Sequence, residues 1–160
     1  MNKSVVKLTP IGGQAENGKS MYCLEIDDQW FIIDAGYRFP EVDKLGVDVI
    51  IPNFDYLKEN KDKIKAIFIT HGHDDVMGAL PYLLQEVNVP IYTTDLTADL
   101  IDQLLQRYMR HSHVSYKYKI KRVNMNATIK VAGVTVEFFP ITHSIPGSVG
   151  LAFLTPNGYV

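Results

Sequence analysis

The sequence predicts an α/β layered domain. Short runs rich in β-branched and aromatic residues recur along its whole length. One long segment, from Leu96 to Met109, carries its apolar residues at helical spacing. Strand-like and helical segments also alternate instead of segregating, as in layers that share a core.

The elements follow in order. Residues 5–9 read as a strand, and 21–26 and 30–34 as a hairpin turning at Asp27-Asp28-Gln29. The glycine-containing stretch 12–19 is a loop by composition. Residues 35–52 look irregular, with Gly36, Pro40, Gly46 and Pro52, and 54–60 reads as a short helix. Ala66-Ile67-Phe68-Ile69 is a compact apolar run, a buried strand that ends in Thr70-His71-Gly72-His73-Asp74-Asp75. Residues 77–86 read as one helix, with Pro81 tolerated only if it sits in the first turn, where a missing N–H costs no hydrogen bond. A short strand at 89–93 precedes Thr94 and Asp95, either of which can cap the next helix. That helix has the stripe Leu96, Leu100, Ile101, Leu104, Leu105, Tyr108 and Met109. Strands follow at 119–123, 128–131, 134–139 and 149–154, with turn signals at Ala132-Gly133 and Pro156-Asn157-Gly158. The chain stops just after that turn, at Gly158-Tyr159-Val160, and reads as part of a longer protein.

Composition narrows the function classes. The 160 residues, 46% of them hydrophobic and 21% charged, are enough for one core and exclude a disordered chain or a coiled coil. The single cysteine, Cys23, allows no internal disulfide, which fits a reducing cytoplasm. No apolar run reaches the length of a membrane helix, and Met1-Asn2-Lys3-Ser4 lacks the apolar segment of a signal peptide. The net charge of −2 hides an asymmetry. Residues 103–136 carry 7 basic side chains and no acidic one, whereas residues 1–102 carry 9 basic and 17 acidic. A local basic block can hold an anion; a basic helix end next to an exposed strand is the plain alternative.

The strongest chemical signal is His71-Gly72-His73-Asp74-Asp75, at the end of the buried strand. Two histidines two residues apart can turn toward one ion, imidazole being the commonest neutral nitrogen ligand. Asp75 adds an oxygen ligand or a proton acceptor. A pair of surface loop histidines is the competing explanation. His143, in Pro140-Ile141-Thr142-His143-Ser144-Ile145-Pro146, ends a second apolar strand and would complete a three-histidine set, the pattern of a catalytic zinc with an open position. His111-Ser112-His113 repeats the spacing, but at a helix C-terminus, where an imidazolium complements the helix dipole. Tyr116-Lys117-Tyr118-Lys119-Ile120-Lys121-Arg122 interleaves rings with cations. That pattern suits RNA contact through Lys117, Lys119, Lys121 and Arg122, or a lysine-blunted edge strand. The 12–19 loop lacks the spacing of a nucleotide P-loop.

These residues resemble a known family. His71-x-His73-x-Asp75 after a buried strand resembles the H-x-H-x-D-H signature of the metallo-β-lactamase superfamily, whose fold is an αββα sandwich. More narrowly, the chain resembles the ribonuclease J family of the β-CASP group. The likeness rests on Gly12-Gly13 with Glu16 and Gly18-Lys19, Asp34-Ala35-Gly36 with Phe39-Pro40-Glu41, and Gly46-x-Asp48 with Ile51-Pro52. It continues through Ile69-Thr70-His71-Gly72-His73, Gly78-Ala79 and Thr142-His143-Ser144-Ile145-Pro146.

The resemblance implies a cytoplasmic, metal-dependent ribonuclease that processes or degrades RNA, using one or two zinc ions, or manganese. Residues 1–160 would be the N-terminal part of one metallo-β-lactamase domain, with the β-CASP and C-terminal domains absent from this chain. His71, His73 and His143 match the ligands of the first metal, Asp75 matches a carboxylate ligand of the second, and Ser144 lies where RNA would contact. Val76 stands where the pattern has its last histidine, and Gly147 where an aspartate is expected. The broken motif resembles the family's degenerate second paralogue, which is weakly active and forms homo- or hetero-oligomers with its partner. Three functions stay open: a metal-dependent ribonuclease with an impaired site, a weak paralogue that binds RNA or stabilises an active partner, and a small-molecule metallo-hydrolase on the same scaffold.

Overall fold

A computed structural model describes residues 4–160; the polar start at Met1-Asn2-Lys3 lies outside them. The first sheet has six strands in the order β1 (Val6–Gly12), β2 (Met21–Ile26), β3 (Gln29–Ile33), β4 (Ile64–Phe68), β5 (Ile91–Thr93) and β6 (Ile120–Arg122). β1 to β3 pair antiparallel and β3 to β6 parallel. Parallel neighbours need crossovers, and helices supply them. α1 (Asp55–Glu59) and a 3-10 turn at Lys61–Lys63 lead into β4; α2 (Asp74–Met77) and α3 (Leu80–Glu86) join β4 to β5; α4 (Asp95–Ser112) joins β5 to β6. The second sheet is an antiparallel meander of β7 (Thr128–Val131), β8 (Val134–Pro140), β9 (Val149–Thr155) and β10 (Gly158–Tyr159).

The two-residue period of a strand sorts its side chains between two cores. Along β4, Ala66 and Phe68 face the second sheet, while Ile67 and the following Ile69 face the helices. On β2 and β3, Leu24 and Phe31 go one way and Cys23 and Ile32 the other. Phe68 is the centre of the inter-sheet core, with ring centroids 5.3 Å from Tyr92 and Phe153 and 6.0 Å from Phe31 and Phe138. The result is a helix layer, a six-stranded sheet and a four-stranded sheet. These are three successive layers of the expected αββα sandwich, and among the described residues no helix covers the outer face of the second sheet.

Two local expectations change. The single helix read at 77–86 is two helices, α2 and α3, that break at Gly78-Ala79. The Ala79 N–H donates to the Ala35 carbonyl (2.7 Å) instead of closing a helical turn. Pro81 does sit in a first turn, that of α3. Leu96, read into the apolar stripe of α4, is 41% exposed; Thr97 and Ala98 take the buried positions in that turn. After the turn at Pro156-Asn157, residues 158–159 continue as β10 and close a hairpin on β9. No helix among the described residues is long and apolar enough to cross a membrane.

Candidate metal centre

The site is built where β3 and β4, and the β8–β9 loop, end side by side. The end of β4 is pinned by the Ile69 N–H to the Tyr92 carbonyl (3.0 Å) and by the Thr93 hydroxyl to the Ile69 carbonyl (2.8 Å). The chain then leaves the sheet at Thr70. Its N–H and hydroxyl both donate to Asp34, which follows β3, at 2.9 and 3.2 Å. Asp34 is buried and sits at φ 61°, a conformation that aspartate tolerates better than most residues. Burial raises its carboxyl to about 7, against the Thr70 hydrogen bonds that lower it.

Thr70 Oγ1 also lies 2.9 Å from His71 Nδ1. The hydroxyl has one hydrogen, and Asp34 receives it. His71 Nδ1–H therefore donates to the Thr70 oxygen, which leaves the Nε2 lone pair of His71 free. His73 caps α2, and its carbonyl accepts from the Val76 and Met77 N–H groups at 3.0 and 2.9 Å. The segment is strapped from the other side. The carbonyls of Asp74, Asp75 and Val76 accept from Tyr37 (3.2 Å), Ser20 (3.0 Å) and Ala35 (2.6 Å). Gly36 makes this approach possible, because a Cβ there would stand 1.6 Å from the Asp75 carbonyl oxygen.

His143 comes from the loop between β8 and β9. The loop is held by Ile141 N–H to the Ser148 carbonyl (3.1 Å), by the Ser148 hydroxyl to the Ile145 carbonyl (2.8 Å) and by the Thr94 hydroxyl to the Gly147 carbonyl (2.7 Å). Val149 N–H donates to the Thr70 carbonyl (3.1 Å), which ties this loop directly to the His71 segment.

The three histidines converge. His143 Nε2 lies 3.1 Å from His71 Nε2 and 3.2 Å from His73 Nδ1, and all three nitrogens fall within 4.8 Å of one another. Nitrogens sharing a tetrahedral zinc at about 2.0–2.1 Å stand ~3.3 Å apart, so the donor set fits such an ion. Burial, then the neighbouring His143 and His73 rings, push the imidazolium of His71 down to about 4, which keeps it neutral and able to ligate.

The other residues singled out in the sequence fall into separate groups. Asp75 is exposed and outside the histidine cluster; it lines a cleft of about 470 Å³ with Arg38 and Phe39 on the walls. Val76 is buried in the helix-side core. Ser144 is exposed next to His143. Lys117, Lys119 and Lys121 are exposed, whereas Arg122 is engaged by Asp99 (2.6 Å) and Asp95 (3.7 Å). The interleaved rings of that segment, which leads into β6, turn inward: the Tyr116 hydroxyl donates to the Pro81 carbonyl (3.1 Å) and the Tyr118 hydroxyl to Asp102 (2.6 Å). His111 Nδ1 bonds the Arg107 carbonyl (2.7 Å), a helix-end contact. Reading the residues for chemistry missed the Asp34–Thr70 pair. Its signal was an acid directly ending an apolar strand run.

Comparison with known proteins agrees with this architecture. A profile of the Metallo-beta-lactamase superfamily matches residues 16–155. Ribonuclease J 2 of Staphylococcus saprophyticus is 42% identical over 159 residues, 99% of this chain but 28% of that protein. The chain thus spans just over a quarter of that relative's length. A protein of unknown function from Enterococcus faecalis superposes with a TM-score of 0.73 at 21% identity, over 98% of this chain and 42% of the other. Zn(2+)-bound PqqB from Methylobacterium extorquens superposes with a TM-score of 0.61 at 13% identity, over 95% and 60%. The chain, with its histidines gathered at the strand ends of a layered sandwich, belongs to the metallo-beta-lactamase superfamily.

Proposed function

We propose that this chain is the metal-holding part of a cytoplasmic ribonuclease that hydrolyses phosphodiester bonds in RNA. The observation that carries the reading is the convergence of His71 Nε2, His73 Nδ1 and His143 Nε2 on one point at the strand ends. The likeness to Ribonuclease J 2 directs it toward RNA. A divalent metal held there, zinc by its nitrogen donors, supplies a Lewis acid and lowers the pKa of water toward neutrality. The chain's own groups do the rest. Asp34 and Thr70 hold His71 in the tautomer that presents Nε2. Asp75, exposed in the first turn of α2, would orient the attacking water and take its proton, while the leaving ribose oxygen takes a proton from solvent as its bond to phosphorus breaks. Ser144 contacts the phosphate, and the exposed lysines at 117, 119 and 121 offer another phosphate contact.

Val76 has no ligand atom and is buried, so this chain lacks a donor that a second metal would use. Phosphodiester cleavage gains from a second ion that steadies attacking and leaving oxygens. The site is therefore a weak one. The same observation favours a second reading, a paralogue that binds RNA or stabilises an active ribonuclease partner in a homo- or hetero-oligomer.

Metal content tests both readings, measured by elemental analysis on protein purified without chelator beside a His73→Ala control. About one zinc per chain, lost in the control and accompanied by slow RNA hydrolysis, supports the nuclease. Zinc without hydrolysis moves the reading to the paralogue, and no zinc above the control overturns the metal site. Val76→His is expected to raise both metal content and cleavage; flat values with an intact fold overturn the impairment.

A further inference from the structure

Resting on the ribonuclease reading, we propose that the C-terminal half of α4 is a track for single-stranded RNA that leads up to the loop carrying His71 and His73. Two adjoining cavities form it. The first, about 400 Å³, runs from Gly72 and Asp74 of the histidine loop to Leu104, Arg107 and Arg110 on α4. The second, about 320 Å³, shares Leu104 and Arg107 and is walled by Tyr37, Tyr82 and Tyr108. The track begins beside the histidine loop, whose Gly72 and Asp74 line the first cavity. Gly72, between the two histidines, sits so close to α4 that a Cβ there would stand 2.5 Å from Leu100 Cδ1.

The chemistry suits one class of ligand. Arg107 and Arg110 belong to the basic block 103–136, and their spacing of three places both on one helix face. Both are exposed, and neither enters an ion pair among the described residues. Of the residues lining the two cavities only Asp74 is acidic. Beyond the arginines, the Tyr82 and Tyr108 rings meet edge to face at 5.0 Å, and Gln85 holds the Tyr108 hydroxyl at 3.3 Å. Both rings are half-buried, which fixes them while leaving part of each open to the cavity. Cations followed by fixed aromatic rings match a phosphate chain with unstacked bases, and a duplex offers no base face to stack. The basic segment 116–122 lacks this combination, since its tyrosines turn inward and Arg122 is paired with Asp99.

The test is anisotropy of a 5′-labelled hexauridylate with this chain and its variants, with metal content measured on each. Arg107→Gln/Arg110→Gln is expected to weaken binding about tenfold and to flatten the log–log salt slope by about 1.4, two phosphates at ~0.7 each. Tyr108→Leu is expected to weaken binding at least fivefold, within the ~1–3 kcal/mol of a base–ring stack, and to abolish the preference for hexauridylate over an abasic ribose-phosphate oligomer. Tyr108→Phe keeps the ring face and retains wild-type affinity. Unchanged affinity and slope in the arginine variant overturn the track. So does a loss carried instead by Lys119→Gln/Lys121→Gln, or equal competition by polyglutamate, which would mark a site for an acidic protein. Absence of RNA binding by the wild type overturns it too. In each of these cases the ribonuclease reading is judged apart, on metal content and hydrolysis.

Discussion

Asp34 and Thr70 meet through two hydrogen bonds, from the Thr70 N–H at 2.9 Å and its hydroxyl at 3.2 Å, at the one place where β3 and β4 both leave the sheet. The pair reaches the cluster because Thr70 Oγ1 is also 2.9 Å from His71 Nδ1. Thr70→Val keeps the shape and removes the hydroxyl. It should lower metal affinity about 10–100-fold, the range for losing the group that orients a ligand histidine. Thr70→Ser should restore it. Titration against a chelator of known affinity reads both, and a Thr70→Val protein with wild-type affinity would remove this relay from the account.

Asp34 and His71 should drive stability in opposite directions with pH. The Asp34 carboxyl is raised from 3.8 to about 7, so between those values the folded chain holds more protons than the unfolded one. Its contribution is therefore lost as pH rises through that window. His71 is lowered from 6.5 to about 4, so between those values the unfolded chain holds more protons, and stability rises with pH. In thermal unfolding of the metal-free protein, Tm of Asp34→Asn minus wild type should rise from pH 4 to 7 and then level. The same difference for His71→Gln should fall from pH 4 to 6.5. Two flat differences would contradict both assignments.

Gly36 packs its Cα against the Asp75 carbonyl with no room for a methyl group. Gly36→Ala must push the Asp74–Val76 strap away from residues 35–37. The expected cost is on the order of 1–3 kcal/mol, with weakened metal binding because His73 begins the same helix. Denaturant unfolding and metal content check it together.

Phe68 is fully buried among four aromatic rings between the sheets. Phe68→Ala should cost about 3–5 kcal/mol, from lost burial and the cavity left behind. A loss below ~1 kcal/mol in urea unfolding would mean that the two sheets close over the gap.

Much of this was legible in the linear pattern because its causes are local. The β2–β3 hairpin, the buried strand at 64–68 and the long helix after Thr94 follow from period-two and helical spacing, which neighbouring residues impose on one another. The pair His71 and His73 is visible for the same reason, since two residues of separation need no folding to be close. The boundary at Gly78-Ala79 was not visible. Gly78 is a poor helix former and Pro81 suits a first turn, but these signals do not place the break, which is set by Ala35, more than forty positions earlier, whose carbonyl accepts the Ala79 N–H. Leu96 looks apolar in any window, but the register of α4 on the sheet turns Thr97 and Ala98 inward instead.

The site depends still more on contacts distant in sequence. His143 is separated from His73 by 70 positions, and only the shared end of two sheets brings their nitrogens to 3.2 Å. Asp34 becomes a buried partner of Thr70 because β3 and β4 pair in parallel, so both chains leave the sheet at the same edge. The tyrosines at 116 and 118 face inward because the helix layer presents Pro81 and Asp102 to their hydroxyls. Spacing along a chain specifies which residue types recur and how far apart. Which of them become neighbours is decided by strand pairing and layer packing, where burial and hydrogen bonding of the whole domain outweigh any local preference.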